Sequence, residues 1–406
     1  MALQTAAEIR ALIAQGKPVC NLTVGDFDPK QFPIPEVLRH NITAAYAAHE
    51  TNYPPSNGMP ELRAAVQRFY ERDRRLKRPI ESILIASGAR PVIYGIYRAV
   101  VAEGDEVVYP VPSWNNNHYV TMLGAKGVTV KCGPESRFLP TRDSLLATLP
   151  TARLVCLNSP LNPTGTAMSK EMVLGISEAI VRENERRAKD GQRPVYLMYD
   201  HIYWMLTAKG TTHHTPPELI PEMARYTVFV DGISKAFAST GVRVGWAVGP
   251  VDVIDRMSAI LGHVGAWAPR AEQLATAKLL DDAGAIATYL GHLRGELALR
   301  LDALHEGFQK LKSHGLPVDS LSPEGAIYLT VRVHPFGKKN AAGKALETNE
   351  DVRRHLLEAA GVGVVPFQAF GYPGDEGWFR LSVGAVSARD IEDAMPRIAE
   401  SLRSLS

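Results

Sequence analysis

Two kinds of segment alternate from about residue 50 to about residue 290. Short apolar runs rich in β-branched residues are followed by longer stretches whose apolar positions recur at helical spacing. This alternation is typical of a mostly parallel sheet that is covered by helices on both faces. The predicted strands are 83–86, 106–109, 128–131, 153–158, 195–200, 227–231 and 242–248. The predicted helices between them are 59–72, 91–102, 169–189 and 250–260.

The pattern differs at the two ends of the chain. Residues 1–49 predict an arm that contains two helices, and residues 291–406 predict a long amphipathic helix, strands and a final helix. The elements predicted in these end regions are helices 6–15, 35–49, 292–313 and 388–405, and strand 326–333.

These patterns predict an α/β fold class with two domains. The large domain, 50–290, has a three-layer arrangement around a mostly parallel sheet. The smaller α+β domain, 291–406, is expected to be completed by the N-terminal arm, 1–49. A long polar segment at 336–350 is inserted in the smaller domain and could be a mobile lid or have no function.

Composition narrows the classes of function. Hydrophobic residues make up 45% of the chain and charged residues 22%, as in ordinary globular proteins. The 45 basic and 43 acidic residues are interspersed, so no nucleic-acid or membrane-surface partner is expected. The cysteines, Cys20, Cys132 and Cys156, are far apart and suit reduced thiols. With no apolar run near the ~18 residues of a membrane span and no signal-like N-terminus, we expect a cytoplasmic protein.

Polar residues follow the predicted strands where a ligand of an open parallel sheet would bind. After strand 83–86 the sequence Ser-Gly-Ala-Arg (87–90) opens a helix, whose free amides suit a phosphate group. Trp114 follows the second strand and offers either a flat ring for an aromatic ligand or a packed surface ring. Two prolines and a glycine shape the loop around Asn162, 159–165.

Asp200 and Lys235 are the charged members of this set. Asp200 ends an apolar strand, where an unpaired buried carboxylate is costly and a cationic partner is expected. Lys235 lies between two apolar runs, and lysine forms Schiff bases with aldehyde cofactors. Taken alone, Lys235 would be read as a solvated lysine. A phosphate cradle, a ring to stack, a carboxylate and a lysine together describe a site for pyridoxal phosphate.

The chain resembles the fold-type I, pyridoxal-phosphate-dependent aminotransferases of class I/II, in the bacterial-type branch of the aspartate aminotransferase superfamily. The resemblance covers essentially the whole length. The motifs that carry it, in the family's order and spacing, are Asn-Ser-Pro-Leu-Asn-Pro-Thr-Gly (158–165), Asp200-x-x-Tyr203, Ser234-Lys235, Thr240-Gly-Val-Arg243-Val-Gly and Phe379-Arg380-Leu-Ser382. It implies a homodimeric enzyme that moves an amino group from an L-amino acid to a 2-oxo acid by a ping-pong route.

The resemblance also implies a role for each matching residue. Lys235 would be the Schiff-base lysine and proton carrier, Asp200 would pair with the pyridinium nitrogen, and Tyr203 would hydrogen-bond the ring hydroxyl. The further cofactor contacts it implies come from Gly88, Ala89, Arg90, Trp114, Asn162, Ser234 and Arg243, and from Tyr53 of the neighbouring subunit. The substrate contacts it implies come from Arg380, which clamps the α-carboxylate, and from Gly25, Asn162 and Arg90.

Several positions depart from the family pattern. Arg90 replaces a more usual Lys or Gln, so it could bind an acidic substrate side chain or simply complement the phosphate. His201 replaces the more usual Glu, and Phe367 replaces an expected glycine near the mouth, where it should narrow the pocket or add an apolar wall. The pair His213-His214 lies in a Thr/Pro loop, which we interpret as solvated rather than as a metal site.

Substrate and reaction stay open at this level. An acidic donor such as aspartate, with 2-oxoglutarate as acceptor, is the leading hypothesis because of Arg90, and aromatic or broad-specificity transamination is nearly equal. The same residues could run a C–S β-lyase reaction instead. A pyridoxal-phosphate-binding regulator is a remote alternative, because no helix-turn-helix or basic arm precedes Tyr53.

Overall fold

The computed structural model describes residues 2–406, with side chains from residue 7 onward. The strands are β1 (Cys20–Asn21), β2 (Ile83–Ala86), β3 (Glu106–Val111), β4 (Lys126–Lys131), β5 (Ala152–Asn158), β6 (Tyr196–Asp200), β7 (Thr227–Gly232), β8 (Gly245–Val248), β9 (Val318–Ser320), β10 (Tyr328–Val333), β11 (Val362–Gly363), β12 (Val365–Pro366) and β13 (Trp378–Ser382). The helices are α1 (Ala2–Ala14), α2 (Glu36–Ala47), α3 (Pro60–Arg74), α4 (Ala89–Val100), α5 (Asn116–Leu123), α6 (Arg142–Leu146), α7 (Lys170–Lys189), α8 (Pro216–Leu219), α9 (Ile233–Ala236), α10 (Val251–Val264), α11 (Arg270–Asp281), α12 (Ala283–Ser313), α13 (Asn349–Ala360) and α14 (Ala388–Arg403).

A seven-stranded sheet in the order β2-β8-β7-β6-β5-β3-β4 forms the centre of the molecule. Only β8 runs antiparallel to its neighbours, and the other pairings are parallel. Successive residues of β6 enter different cores, Leu197 on one face and Met198 on the other. Burial on both faces explains why these strands read as continuous apolar runs. The seven predicted strands and the α/β class are confirmed.

A four-stranded antiparallel sheet, β12-β13-β10-β9, lies in the C-terminal third and is covered by α12, which also packs against α14. The N-terminal arm joins this part, since β1 pairs in parallel with β11. The arm also contacts the large sheet's side, where Tyr46 on α2 donates a hydrogen bond to Glu272 on α11 at 2.7 Å. The boundaries at residues 49 and 290 stay a prediction.

The structure contains more helix than the pattern predicted, both in the large domain and near the C-terminus. The helix expected at 292–313 begins earlier, at Ala283, and α5, α11 and α13 were not predicted. The polar segment 336–350 is tied to the C-terminus, because Lys339 and Ser406 exchange backbone hydrogen bonds of 2.9 and 3.1 Å. Its last residues form the start of α13, where Thr348 and Asp351 form a capping box.

The structure also bears on two expectations from composition, the absence of a membrane span and the reduced state of the cysteines. Within residues 2–406 no helix is long and apolar enough to cross a membrane. The thiols of Cys20, Cys132 and Cys156 are free and buried, and burial raises the pKa of each to about 12. They are therefore poor nucleophiles and poor metal ligands at neutral pH.

Candidate active site

A cavity of about 570 Å³ lies at the carboxyl ends of the central strands, between the large sheet and the β10–β13 sheet. Most of the residues predicted for the site line it. These are Gly25, Ala89, Arg90, Trp114, Asn162, Asp200, Tyr203, Ser234, Lys235, Arg243 and Arg380. Gly88 lies directly behind this wall as the residue that precedes α4. The strand ends therefore bring together groups that are more than 350 residues apart in the chain.

One end of the cavity is built from the start of α4 and from Arg243. Gly88 has a φ of 91°, and a Cβ there would lie 2.3 Å from Nη2 of Arg243, so only glycine allows this close approach. The Arg243 guanidinium donates to the carbonyls of Thr240 at 2.7 Å and Ser87 at 2.9 Å. Free helix amides, a fixed guanidinium and the Ser234 hydroxyl are groups whose chemistry suits a phosphate dianion.

The Lys235 amine faces the same cavity. Its Nζ donates a hydrogen bond of 2.7 Å to the carbonyl of Gly25 in the arm. Burial lowers the pKa of Lys235 to about 8; Asp26 opposes this shift, and Arg380 and Arg243 add to it. A substantial fraction of the amine is therefore neutral near physiological pH, as a nucleophile or base requires.

Asp200 ends β6 on the floor of the cavity. Burial raises the pKa of this carboxyl to about 7, and the backbone N–H of Ile202, which donates to it at 3.1 Å, opposes the rise. No lysine or arginine of residues 7–406 forms an ion pair with Asp200. A cation supplied by a ligand ring would satisfy the carboxylate, which fits the ring nitrogen of pyridoxal phosphate.

Arg380 provides a second anion site. Its Nη1 donates to Oδ1 of Asn162 at 3.2 Å and its Nη2 to the carbonyl of Thr23 at 2.7 Å. The guanidinium is 4% exposed, and its Nε has no hydrogen-bond partner within the described residues. Rings of Tyr328 and Phe370 flank it at 4.8 and 4.9 Å. A buried guanidinium held this way suits a bidentate carboxylate.

The sequence did not reveal every residue of this wall. Tyr328, at the start of β10, shares a hydrogen bond of 2.7 Å with the hydroxyl of Tyr203, and both rings are buried. The apolar side is formed by Phe370 and by residues 364–366. A tyrosine in a C-terminal strand and a phenylalanine in the turn after β12 look like any core residues, so no sequence signal distinguished Tyr328 or Phe370.

The mouth of the cavity is more open. Trp114 is 42% exposed, its ring lies 6.1 Å from that of Phe370, and the guanidinium of Arg90 lies 5.8 Å from its centroid. Asp26, an exposed residue of the arm, also lines the cavity. Charges of both signs thus face the region where a substrate side chain would enter.

The prediction that Phe367 narrows the pocket or adds an apolar wall to it is wrong, because Phe367 does not line the cavity. Its side chain is fully buried and packs edge-on against Phe138 at 5.0 Å and Tyr372 at 6.1 Å. The turn after β12 directs this ring behind the cavity wall, and Phe370 faces the cavity instead. Spacing along an irregular turn does not determine which of two phenylalanines is exposed to the pocket.

The prediction of a solvated loop at His213-His214 is wrong for His213. His213 is 5% exposed and lies against Tyr199 and His201 at ring distances of 5.9 and 5.5 Å. Burial holds the pKa of His213 well below its usual range. His201 is also fully buried and does not line the cavity. In the described part of the chain no group of three potential ligands could hold a metal ion.

Tyr53 lies outside the cavity of its own chain. Its side chain is 80% exposed, and its ring meets Trp267 edge-on at 5.2 Å. A tyrosine this exposed on a fixed loop is available to another molecule.

Comparisons with known proteins agree with this geometry. The model of the aminotransferase class I and II family matches residues 17–398. The chain is 31% identical over its whole length to an aspartate aminotransferase of Rhizobium meliloti, 94% of which is covered. It is 30% identical over 95% of its length to a probable aspartate/prephenate aminotransferase of Rickettsia bellii, 92% of which is covered.

Two solved structures with a similar fold are aspartate aminotransferases as well. The aspartate aminotransferase from Rhizobium meliloti superposes with a TM-score of 0.90 at 30% identity, covering 100% of this chain and 96% of that one. The aspartate aminotransferase from Thermus thermophilus with maleate superposes with a TM-score of 0.86 at 28% identity, covering 98% and 96%.

Proposed function

Because the chain belongs to the class I and II aminotransferase family and is a pyridoxal-phosphate-dependent transferase of amino groups, we propose that Lys235 carries the cofactor and the migrating proton. The observation that supports this role is an Nζ with a pKa of about 8 in the cavity that Asp200 and Arg243 also line. When bound, the cofactor supplies an aldehyde that links to amines and a ring that withdraws electrons. Lys235 would hold the proton at Nζ and deliver it across short distances.

We propose the other cofactor contacts from the places that these residues occupy around the cavity. The amides of Gly88, Ala89 and Arg90 at the start of α4, with Ser234 and Arg243, would hold the phosphate. Asp200 would keep the ring nitrogen protonated, as its lack of a protein cation suggests. The hydroxyl of Tyr203 and the amide of Asn162 would bind the ring hydroxyl, and Trp114 would stack on the ring.

Arg380 would bind the α-carboxylate of the substrate, with Asn162 and the backbone of Gly25 beside it. Arg90 faces the mouth, so we propose an acidic amino donor such as aspartate and 2-oxoglutarate as acceptor. Relatives named aspartate aminotransferases support this choice. Phe370 and Trp114 give the mouth an apolar surface, which supports aromatic or ring-containing substrates as a second candidate, and one relative is named for prephenate.

We also propose a homodimer in the cytoplasm. The exposed Tyr53 would reach the phosphate of the neighbouring subunit, which gives an exposed aromatic side chain a defined partner. Sedimentation of the purified protein tests this, and a monomer at micromolar concentration that is fully active would contradict it.

A panel of amino donors against several 2-oxo acids tests the proposed reaction. We expect turnover only when donor and acceptor are both present, with acidic donors fastest. The C–S β-lyase alternative has no support from the relatives compared above, which are named aminotransferases. Release of pyruvate and ammonia from a cysteine conjugate without any oxo acid would revive it. Cofactor binding without turnover of any pair would point to a regulator.

A further inference from the structure

A buried polar cluster lies behind the strand ends that carry Asp200 and Lys235. Its members are Tyr70, His201, Trp204, Asp231 and Trp246, which are each at most 8% exposed. Oδ2 of Asp231 accepts hydrogen bonds from Tyr70 Oη and Trp204 Nε1, both at 3.0 Å, and Oδ1 accepts from the N–H of Gly232 at 2.8 Å. The cluster does not line the cavity, and no role in the transfer proposed above uses it.

The donors and acceptors of this cluster allow one arrangement of protons when Asp231 is ionised. The Tyr70 hydroxyl has one hydrogen, which it donates to Asp231, so it accepts from Trp246 Nε1 at 3.3 Å. Its remaining lone pair accepts from Nε2 of His201 at 2.8 Å, which makes His201 the neutral Nε2–H tautomer. Nδ1 of His201 then carries no hydrogen, in keeping with its lack of a donor or acceptor partner among the described residues.

A carboxylate is the only side chain of this size that fits at position 231. It receives three donors and offers acceptor lone pairs on both oxygens, whereas an asparagine would turn an N–H₂ donor toward at least one of them. Burial raises the pKa of Asp231 to about 7, and the three donors oppose this rise. The site therefore combines the cost of a buried carboxyl with the hydrogen bonds that offset it.

The bonds to Asp231 connect the two strand ends of the active site. Trp204 directly follows Tyr203 after β6, and Gly232 begins the turn into α9, which contains Lys235. Tyr70 on α3 also donates to the carboxylate, and its hydroxyl is held in turn by the indole N–H of Trp246 on β8. Moving Asp231 would therefore shift Tyr203 and Lys235 relative to each other.

We propose that Asp231 is a positioning residue, which sets the distance between the turn that carries Lys235 and the end of β6. Its Oδ1 holds the turn through the N–H of Gly232. Its Oδ2 holds the end of β6 through Trp204 and is itself held by Tyr70. The proposal rests on the proposed function, because it takes Lys235 as the residue that carries the cofactor. It assigns no contact with substrate or cofactor to Asp231.

The test uses Asp231→Asn in the full-length protein at pH 8, where the wild-type carboxyl is ionised. We expect the dissociation constant of pyridoxal phosphate to rise about tenfold, the size expected when a buried donor loses its acceptor. We also expect the pH midpoint of the absorbance of the lysine-bound cofactor to shift, because the environment of Lys235 changes. A variant that loses thermal stability but keeps both the affinity and the midpoint of the wild type would overturn the proposal.

A matched pair of variants separates positioning from loss of stability, and serves if Asp231→Asn does not fold. Tyr70→Phe removes a hydroxyl that is bonded to Asp231, and Tyr199→Phe removes one from a neighbouring buried tyrosine that donates to the carbonyl of His214 at 2.9 Å. Both side chains are at most 1% exposed. We expect both to lower the melting temperature and only Tyr70→Phe to weaken cofactor binding. Equal weakening by both would refute the proposal.

The role of Lys235 and the role of Asp231 are tested by different results. If the wild-type protein shows no lysine-bound absorbance that Lys235→Ala abolishes, the proposed function itself is wrong. If that absorbance is present and Asp231→Asn and Tyr70→Phe leave its midpoint and the cofactor affinity unchanged, only the role of Asp231 is wrong.

Discussion

The two ends of the cavity are built in different ways. At the inner end, Asp200 and Lys235 come from the ends of adjacent strands in one sheet, and Arg243 is fixed by two backbone carbonyls. At the mouth, Asp26, Trp114 and Phe370 come from the arm, from the turn after β3 and from the segment after β12. Sheet register therefore positions the residues of the inner end, whereas three separate loops supply the residues of the mouth, where we expect the side chain of the substrate to bind. Changes at the inner end should abolish the reaction, and changes at the mouth should redirect it.

The largest effect is expected at Lys235. Lys235→Ala removes the amine that would link the cofactor and carry the proton, so we expect turnover to fall about 10⁴-fold or more, since proton transfer alone contributes 10²–10⁴-fold. Single-turnover kinetics and the visible absorbance of the bound cofactor measure this. Lys131→Ala, at a surface lysine paired with Glu376, is the control. Retained absorbance with a reducible adduct on another lysine would contradict the assignment.

The next largest effect is expected at Arg380. Arg380→Lys keeps the charge but loses the planar fork that donates to Asn162 and Thr23. We expect kcat/KM to fall about 10- to 100-fold for every donor, because each donor has an α-carboxylate. Arg332→Lys, on the neighbouring strand with its guanidinium over Trp378, should leave kcat/KM unchanged. A loss limited to acidic donors would place Arg380 at the side-chain end instead.

The carboxyl of Asp200 should make the free energy of unfolding of the cofactor-free protein depend on pH. Its folded pKa of about 7 lies above the ordinary value of 3.8, so between these pH values the folded state keeps a proton that the unfolded state has lost. Its contribution to stability is thus present below pH 4 and lost as the pH rises through 7. We expect Asp200→Asn to remove a decline of about 3 kcal/mol in the free energy of unfolding between pH 4.5 and pH 7.5. Urea titrations at pH 4.5 to 7.5 measure it, and parallel curves for variant and wild type would refute the shift.

The sequence predicted the inner end better than the mouth, for a physical reason. Asp200 ends a buried strand and Lys235 lies three residues after the end of the next one, where a charged residue is costly and so stands out from its neighbours. The seven apolar runs fixed the strands and thus the edge at which these residues meet. Phe367 and Phe370 lie in an irregular turn that has no periodicity, so their orientation depends on packing against Phe138, which lies more than 220 residues away in the chain.

A substitution of Arg90 tests whether the mouth of the cavity selects amino donors by their charge. Arg90→Gln removes a guanidinium that lies over Trp114 and faces the cavity. We expect kcat/KM for aspartate to fall about tenfold, with aromatic donors nearly unaffected, since an exposed charge pair contributes about 1 kcal/mol. The ratio of the two donors is the measurement. An equal loss for both, together with weaker cofactor binding, would assign Arg90 to the phosphate.

The smallest effect separates the two phenylalanines. Phe370→Leu removes a ring that flanks Arg380 and lies near Trp114, so we expect the preference for aromatic over acidic donors to fall about fivefold, the worth of one aromatic contact. Phe367→Leu is the matched control, because the same deletion behind the wall should lower the free energy of unfolding by about 1–2 kcal/mol and leave the donor ratio unchanged. If Phe367→Leu changed the ratio as much as Phe370→Leu, packing behind the wall would select the substrate as strongly as the wall itself.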